Sequence, residues 1–142
     1  MNGNSAFHTL FKQFATVFVN APYATSCVVG DYAYVFGGRD SAGTYLNDLW
    51  QYDTQNDTWT SLGKTPLKER VNATACVHDG VAYIGLGING RYSNSTGYLQ
   101  DWWKYDPNTD TWQPLSDYPA HTTARAVCMV GEGELYVGYG FC

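Results

Sequence analysis

The sequence predicts an all-β fold assembled from repeated sheets of four antiparallel strands. Three observations carry this expectation. The chain repeats itself with a period near 50 residues. Each repeat holds four short runs rich in Val, Tyr, Trp, Thr and Phe, which suit a pleated, half-buried surface. Gly, Asp, Asn and Pro punctuate between the runs.

The repeat is plainest in two segments. Residues 46–62 read LNDLWQYDTQNDTWTSL and residues 99–115 read LQDWWKYDPNTDTWQPL. At an offset of 53 they share Asp48/Asp101, Trp50/Trp103, Tyr52/Tyr105, Asp53/Asp106, Asp57/Asp110 and Trp59/Trp112. Upstream, ATSCVVGDYAYVFGG (24–38) matches ATACVHDGVAYIGLG (73–87) at an offset of 49, and AVCMVGEGELYVGYG (126–140) matches the latter at 53. The offsets differ because the loop GRDSAGTYLND (38–48) is four residues shorter than GINGRYSNSTGYLQD (87–101).

Taken in order, residues 1–23 read as the fourth strand of a preceding unit plus a linker. The support is NGNSAFHTL, which aligns with TQNDTWTSL at an offset of 52. An amphipathic helix through Phe7, Leu10, Phe11, Phe14 and Phe18 is the competing reading. Residues 24–65 form one complete unit and 66–119 a second, with 120–142 as the first half of a third. Within a unit the first run is small and apolar (ATSCVV, ATACVH). The second alternates and ends in glycine, the third is aromatic (LWQYD, WWKYD), and the fourth is TWTSL or TWQPL. DTQND and DPNTD are turn material, with Asp at the first position and Pro next in the second copy.

Four short antiparallel strands per unit at this period describe the blades of a propeller. YVFGG, YLNDLWQYD and NDTW, followed by YIGLG, YLQDWWKYD and NTDTW, resemble the kelch repeat. That motif has a di-glycine after its second strand, a Tyr-Asp closing its third and a Trp in its fourth. The di-glycine stands only once, at Gly37–Gly38. The later copies read Gly85-Leu86-Gly87 and Gly138-Tyr139-Gly140. Leu86 lacks glycine's freedom at positive φ, so the second turn is expected to differ from the first. About two and a half blades form an incomplete ring, because closure takes roughly four to eight. Further blades are expected from the rest of a longer chain or from self-association, over apolar blade faces.

Bulk properties exclude several classes. The formal charge of −5 and the lack of a basic run leave no footprint for nucleic acid. The apolar runs, such as FATVFV (14–19), are far short of a membrane span. Few lysines and many Asn, Thr and Tyr favour a periplasmic, cell-surface or secreted location. Cys27, Cys76 and Cys128 sit in small apolar strands and read as free, buried thiols, because packed sheets stand about 10 Å apart.

Chemical motifs are weak. GLGING (85–90) matches a dinucleotide fingerprint, but RYSNSTGY follows where a helix is required. The paired aspartates recur in each copy, as turn-capping residues must and a catalytic pair need not. His8, His78 and His121 have no ligand spacing. The Tyr/His/Cys site of copper oxidases with a galactose-oxidase-like kelch domain has no local counterpart here, so no metal and no cofactor are expected.

Binding residues are sought instead where the copies differ, on loops. Arg39 and Asp40 follow the second strand of the first unit, and Asn89, Arg91 and Tyr92 lie in the longer loop of the second. Arg70 precedes one first strand, and His121 and Arg125 precede the next. Trp102 stands where the first unit has Leu49. Arginines at the end of a propeller suit a carboxylate or a charged partner. The resemblance implies first a non-catalytic protein- or carbohydrate-binding module. Two further readings are a sugar isomerase similar to bacterial N-acetylneuraminate epimerases, using Arg39, Arg91 and Arg125, and a structural part of a larger secreted enzyme.

Overall fold

A computed structural model of the chain describes residues 21–90, 97–119, 124–138 and 140. The N-terminal strand or helix expected within residues 1–20 lies outside the described residues.

The fold is all-β. The first blade comprises β1 (Thr25–Val29), β2 (Tyr32–Arg39), β3 (Tyr45–Asp53) and β4 (Thr58–Lys64), antiparallel and in chain order. The second comprises β5 (Thr74–His78), β6 (Val81–Gly85), β7 (Trp102–Asp106) and β8 (Thr111–Pro114) in the same order. β9 (Val127–Gly131) and β10 (Glu134–Gly138) pair as a two-stranded sheet, so the ring is not closed.

The recurring residues build each blade locally. Asp53 Oδ1 accepts hydrogen bonds from the backbone of Gln55 (2.8 Å) and Asn56 (3.0 Å), and Asp106 Oδ1 from that of Asn108 (2.9 Å). Asp57 and Asp110 close these turns in left-handed backbone, at φ 56° and 50°. Their carboxylates accept the phenol protons of Tyr52 and Tyr105 (2.5 and 2.9 Å). Trp59 then packs on Tyr52 and Trp112 on Tyr105, with ring centroids 4.8 and 4.6 Å apart. These aspartates are therefore turn and tyrosine anchors.

Between the blades, Tyr34, Phe36 and Leu49 of the first meet Ala82, Ile84 and Tyr105 of the second, with Leu67 in the same core. Tyr34 meets Tyr105 edge-on at 5.9 Å. β5 packs against both β1 and β9, so these three strands share one edge of the stack, the inner edge of the arc. The blades converge there. Cys76 and Cys128 meet across the β5/β9 contact, where the strands come closer than the 10 Å spacing of packed sheets. Cys27, Cys76 and Cys128 are free thiols and half-buried. Burial, with a smaller contribution from Cys76, pushes the Cys27 thiol up to about 12.

Two expectations from the repeat need correction. Leu86 adopts φ 57°, against 64° at Gly37, and the following glycines match too, at 95° and 99°. The second turn thus has the same backbone as the first. Holding a leucine there costs about 1–2 kcal/mol. Its fully buried side chain recovers about as much through burial.

The second correction concerns Trp102, which is 2 % exposed. Phe36 and Leu49 are register partners across β2 and β3, and the equivalent partners in the second blade are Gly85 and Trp102. The indole lies over the bare glycine: a Cβ at Gly85 would come within 2.5 Å of the ring. The two blades fill the same pair position with opposite divisions of volume. Trp102 is a packing residue with no surface to offer a ligand.

Arg70 ties the blades together. Its backbone N–H donates to Leu46 O (3.0 Å), and its carbonyl accepts from Gly38 N (2.9 Å) of the first blade. Its side chain, 0 % exposed, grips Asp101 of the second blade through both terminal nitrogens (2.7 Å each). It also donates to Leu86 O (3.0 Å) and Lys68 O (2.9 Å). Burial alone would raise the Asp101 carboxyl. The hydrogen bonds and charge of Arg70, joined by the Trp103 indole, outweigh that and hold it below the usual carboxylate range.

Two outcomes are expected. Gly85→Phe should destabilise the chain by about 2 kcal/mol or more through overpacking, and adding Trp102→Leu should restore only part of the loss, because the new Cβ also meets the Asp101 carbonyl at 2.5 Å. Urea denaturation of the four members of the cycle checks this, and strictly additive effects would contradict the volume exchange. Asp101→Asn should cost about 3 kcal/mol by stranding a buried guanidinium. Because the Asp101 pKa is depressed in the fold, its stabilisation is complete above the ordinary carboxylate pKa of about 4 and is lost as pH falls through the folded value. Melting curves between neutral and acid pH should therefore lose part of their slope in Asp101→Asn.

Candidate functional site

The candidate site is one end of the inner edge, where the chain enters each inner strand. Tyr23, Asn72 and Arg125 occupy the same repeat position ahead of β1, β5 and β9. All three are left-handed, at φ 66°, 53° and 56°. The Asn72 N–H donates to Tyr23 O (2.9 Å), and the Arg125 N–H donates to Asn72 O (3.2 Å). A hydrogen-bonded ladder thus runs from blade to blade along the rim. It fixes the backbone and leaves the side chain at each step to vary.

Arg39, at the end of β2, joins this rim. Its N–H donates to Pro22 O (3.0 Å), and its guanidinium lies over the Tyr23 ring, 5.4 Å from the centroid. Tyr23 and Arg125 are exposed, and Arg39 is half-exposed. Asp40 is committed to its own turn: Oδ1 accepts from Thr44 N (2.8 Å), and the backbone closes on Thr44 and Gly43. Asn89 sits further out, its amide donating to Glu69 O and its N–H to Gly97 O. The Tyr45 hydroxyl of the first blade donates to Gly90 O (2.8 Å), so the loops of the two blades are joined as well.

The sequence-selected residues therefore separate. Arg39 and Arg125 share the rim, and Asp40 and Asn89 shape the loops beside it. Arg70 is buried in its ion pair and Trp102 in the core, and neither presents a polar group to solvent. Arg91, Tyr92 and His121 lie outside the described residues. Sequence reasoning passed over Tyr23 and Asn72. The signal was present: within two aligned copies of A-T-x-C, the residue before the alanine changes from Tyr23 to Asn72.

Chemically the rim offers two guanidinium groups and a phenol ring, while Asn72 is buried. Such a set recognises a negatively charged group by paired hydrogen bonds and stacking. Among the described residues, no group of three or more His, Cys, Asp and Glu could hold a metal ion, and no helix is long and apolar enough to cross a membrane.

Comparison with known proteins agrees with this architecture. The profile of the KLHDC2/KLHL20/DRC7 Kelch-repeats domain matches residues 13–142. Kelch domain-containing protein 3 of Rattus norvegicus is 28% identical over 129 residues, 82% of this chain and 33% of that protein. N-acetylneuraminate epimerase 2 of Escherichia coli O6:H1 is 33% identical over 121 residues, 84% of this chain and 32% of that protein. N-acetylneuraminate epimerase of Shigella flexneri is 33% identical over 118 residues, 82% and 31% of the two chains. Among solved structures, that described as "Structure of YjhT" superposes with a TM-score of 0.68 at 22% identity, covering 82% of this chain and 43% of that one. The chain spans about a third of the length of these curated relatives. With paired four-stranded blades and a profile match over nearly its whole length, the chain belongs to the kelch-repeat family.

Proposed function

We propose that this chain supplies blades to a propeller that acts as a non-catalytic binding module. In this reading the rim of Tyr23, Arg39 and Arg125 takes a carboxylate-bearing protein or carbohydrate ligand. The supporting observation is the ladder through Tyr23, Asn72 and Arg125. A fixed backbone with interchangeable side chains is the arrangement a recognition surface needs. Asp40 and Asn89 hold the adjoining loops, Arg91 and Tyr92 belong by sequence to the loop of Asn89, and His121 belongs to the segment that leads to Arg125. The two ends of the stack complete the picture. Val28 and Trp50 are exposed at one end, and Val127, Met129 and Tyr136 at the other, as surfaces for further blades.

A second reading is favoured by the N-acetylneuraminate epimerases among the relatives. Their named substrate is an acidic sugar, and the rim guanidinium groups suit its carboxylate. In that case the module is a sugar isomerase.

Saturation-transfer NMR with N-acetylneuraminate and related acidic sugars tests both readings. Binding that falls about tenfold or more in Arg39→Ala and Arg125→Ala, with no acceleration of anomer interconversion, is the expected result. Acceleration would favour the isomerase. Ligand binding of any kind that survives both substitutions unchanged would remove the rim from the function.

A further inference from the structure

At the inner edge, β5 lies between β1 and β9. Ala75 and Val77 of β5 border the core shared with the first blade. Side chains alternate along a strand, so Cys76 points to the opposite face, toward β9. In β9, Val127 and Met129 are exposed on the outer face of the stack. Cys128, between them, therefore points back toward β5. The two strands are tied just ahead of the cysteines. Thr74 Oγ1 donates to Ala126 O (3.1 Å), two residues before each of them, and the Arg125 N–H donates to Asn72 O (3.2 Å). Each thiol also acts on the other's proton. Pairing with Cys128 lowers the Cys76 thiol from its ordinary value against the opposing effect of burial, and the same pairing, with burial, raises Cys128. At the junction of the first two blades the same two repeat positions hold Cys27 and Ala75, which both border the core there.

We infer that Cys76 and Cys128 form a reversible disulfide site, which reacts with a low-molecular-weight disulfide and crosslinks the second blade to the third. Both cysteines are half-buried, so neither is sealed from a small reagent. Cys76 ionises more readily and supplies the attacking thiolate. Its sulfur attacks one sulfur of the small disulfide, whose S–S bond breaks and releases one thiolate. The Cys128 sulfur then attacks the mixed disulfide at Cys76 and releases the second. The two cysteine sulfurs together lose two electrons, the small disulfide is reduced by two, and the two cysteine protons end on the two released thiols. The crosslink supplies at this junction what Arg70 supplies at the first. By sequence, the repeat counterpart of Arg70 ahead of β9 is Thr123, which carries no charge for an ion pair. Arg125 stands three residues before Cys128, so the crosslink also fastens that step of the rim.

The test equilibrates the full chain with glutathione buffers from reducing to oxidising, quenches with acid, blocks the remaining thiols and maps the peptides by mass spectrometry. A linked Cys76–Cys128 peptide is expected in oxidised glutathione, and excess reduced glutathione should remove it. The crosslink closes a loop of about fifty residues, so the oxidised chain should melt about 5 °C or more above the reduced one. Cys128→Ser should abolish both effects and leave Cys76 joined to glutathione. Cys27→Ser should leave the linked peptide unchanged. Mapping of the wild-type chain needs no variant and stays decisive even if a serine variant fails to fold. A wild-type chain that keeps both thiols in oxidised glutathione, stops at mixed disulfides, or joins either cysteine to Cys27 or Cys142 instead would overturn the inference.

Discussion

One residue, Arg70, belongs to two blades at once. Its peptide group pairs with the first blade, and its side chain reaches into the second to meet Asp101. A sheet packed on a sheet can slide, because dispersion and burial are indifferent to small translations. A bidentate ion pair with a buried guanidinium tolerates no such sliding. The register of blade on blade, and so the position of the rim, depends on this fastening. The carboxylate is only part-buried and the arginine fully so, which makes the arrangement asymmetric: losing the acid strands the base.

The rest follows from keeping that fastening at a distance from the recognition surface. Left-handed backbone at Tyr23, Asn72 and Arg125 turns the chain into each inner strand and passes a hydrogen bond to the next blade. The energy of the turn lies in main-chain groups and does not depend on which side chain the position carries. The arginine that holds the blades together and the arginines that face solvent are thus different residues with different environments.

Much of this was legible in the sequence. The fifty-residue period and the alternation of apolar runs fixed the strand number and order, since those patterns are set by burial. The recurring Asp53, Asp57, Asp106 and Asp110 were legible as turn residues because they repeat. What stayed hidden were relations between positions. Arg70 reads as a loop arginine open to a ligand until Asp101 is seen to lie against it, 31 residues away. Trp102 reads as a departure from the repeat until Gly85 is found beneath it. Leu86 reads as a different turn, yet burial of its side chain holds it in a glycine conformation. In each case the missing information was a partner, and partners are assigned by folding, not by spacing.

The opposite filling of one pair position, Phe36 with Leu49 and Gly85 with Trp102, bears on how such a chain can change. Units copied from one ancestor begin as interchangeable parts. Once volume has moved from one strand to its neighbour, a strand exchanged singly brings either a phenylalanine against a tryptophan or a lone leucine beside glycine. Recombination within a blade is then penalised, while transfer of an intact blade is not. The exchangeable piece of this chain has become the whole four-stranded sheet.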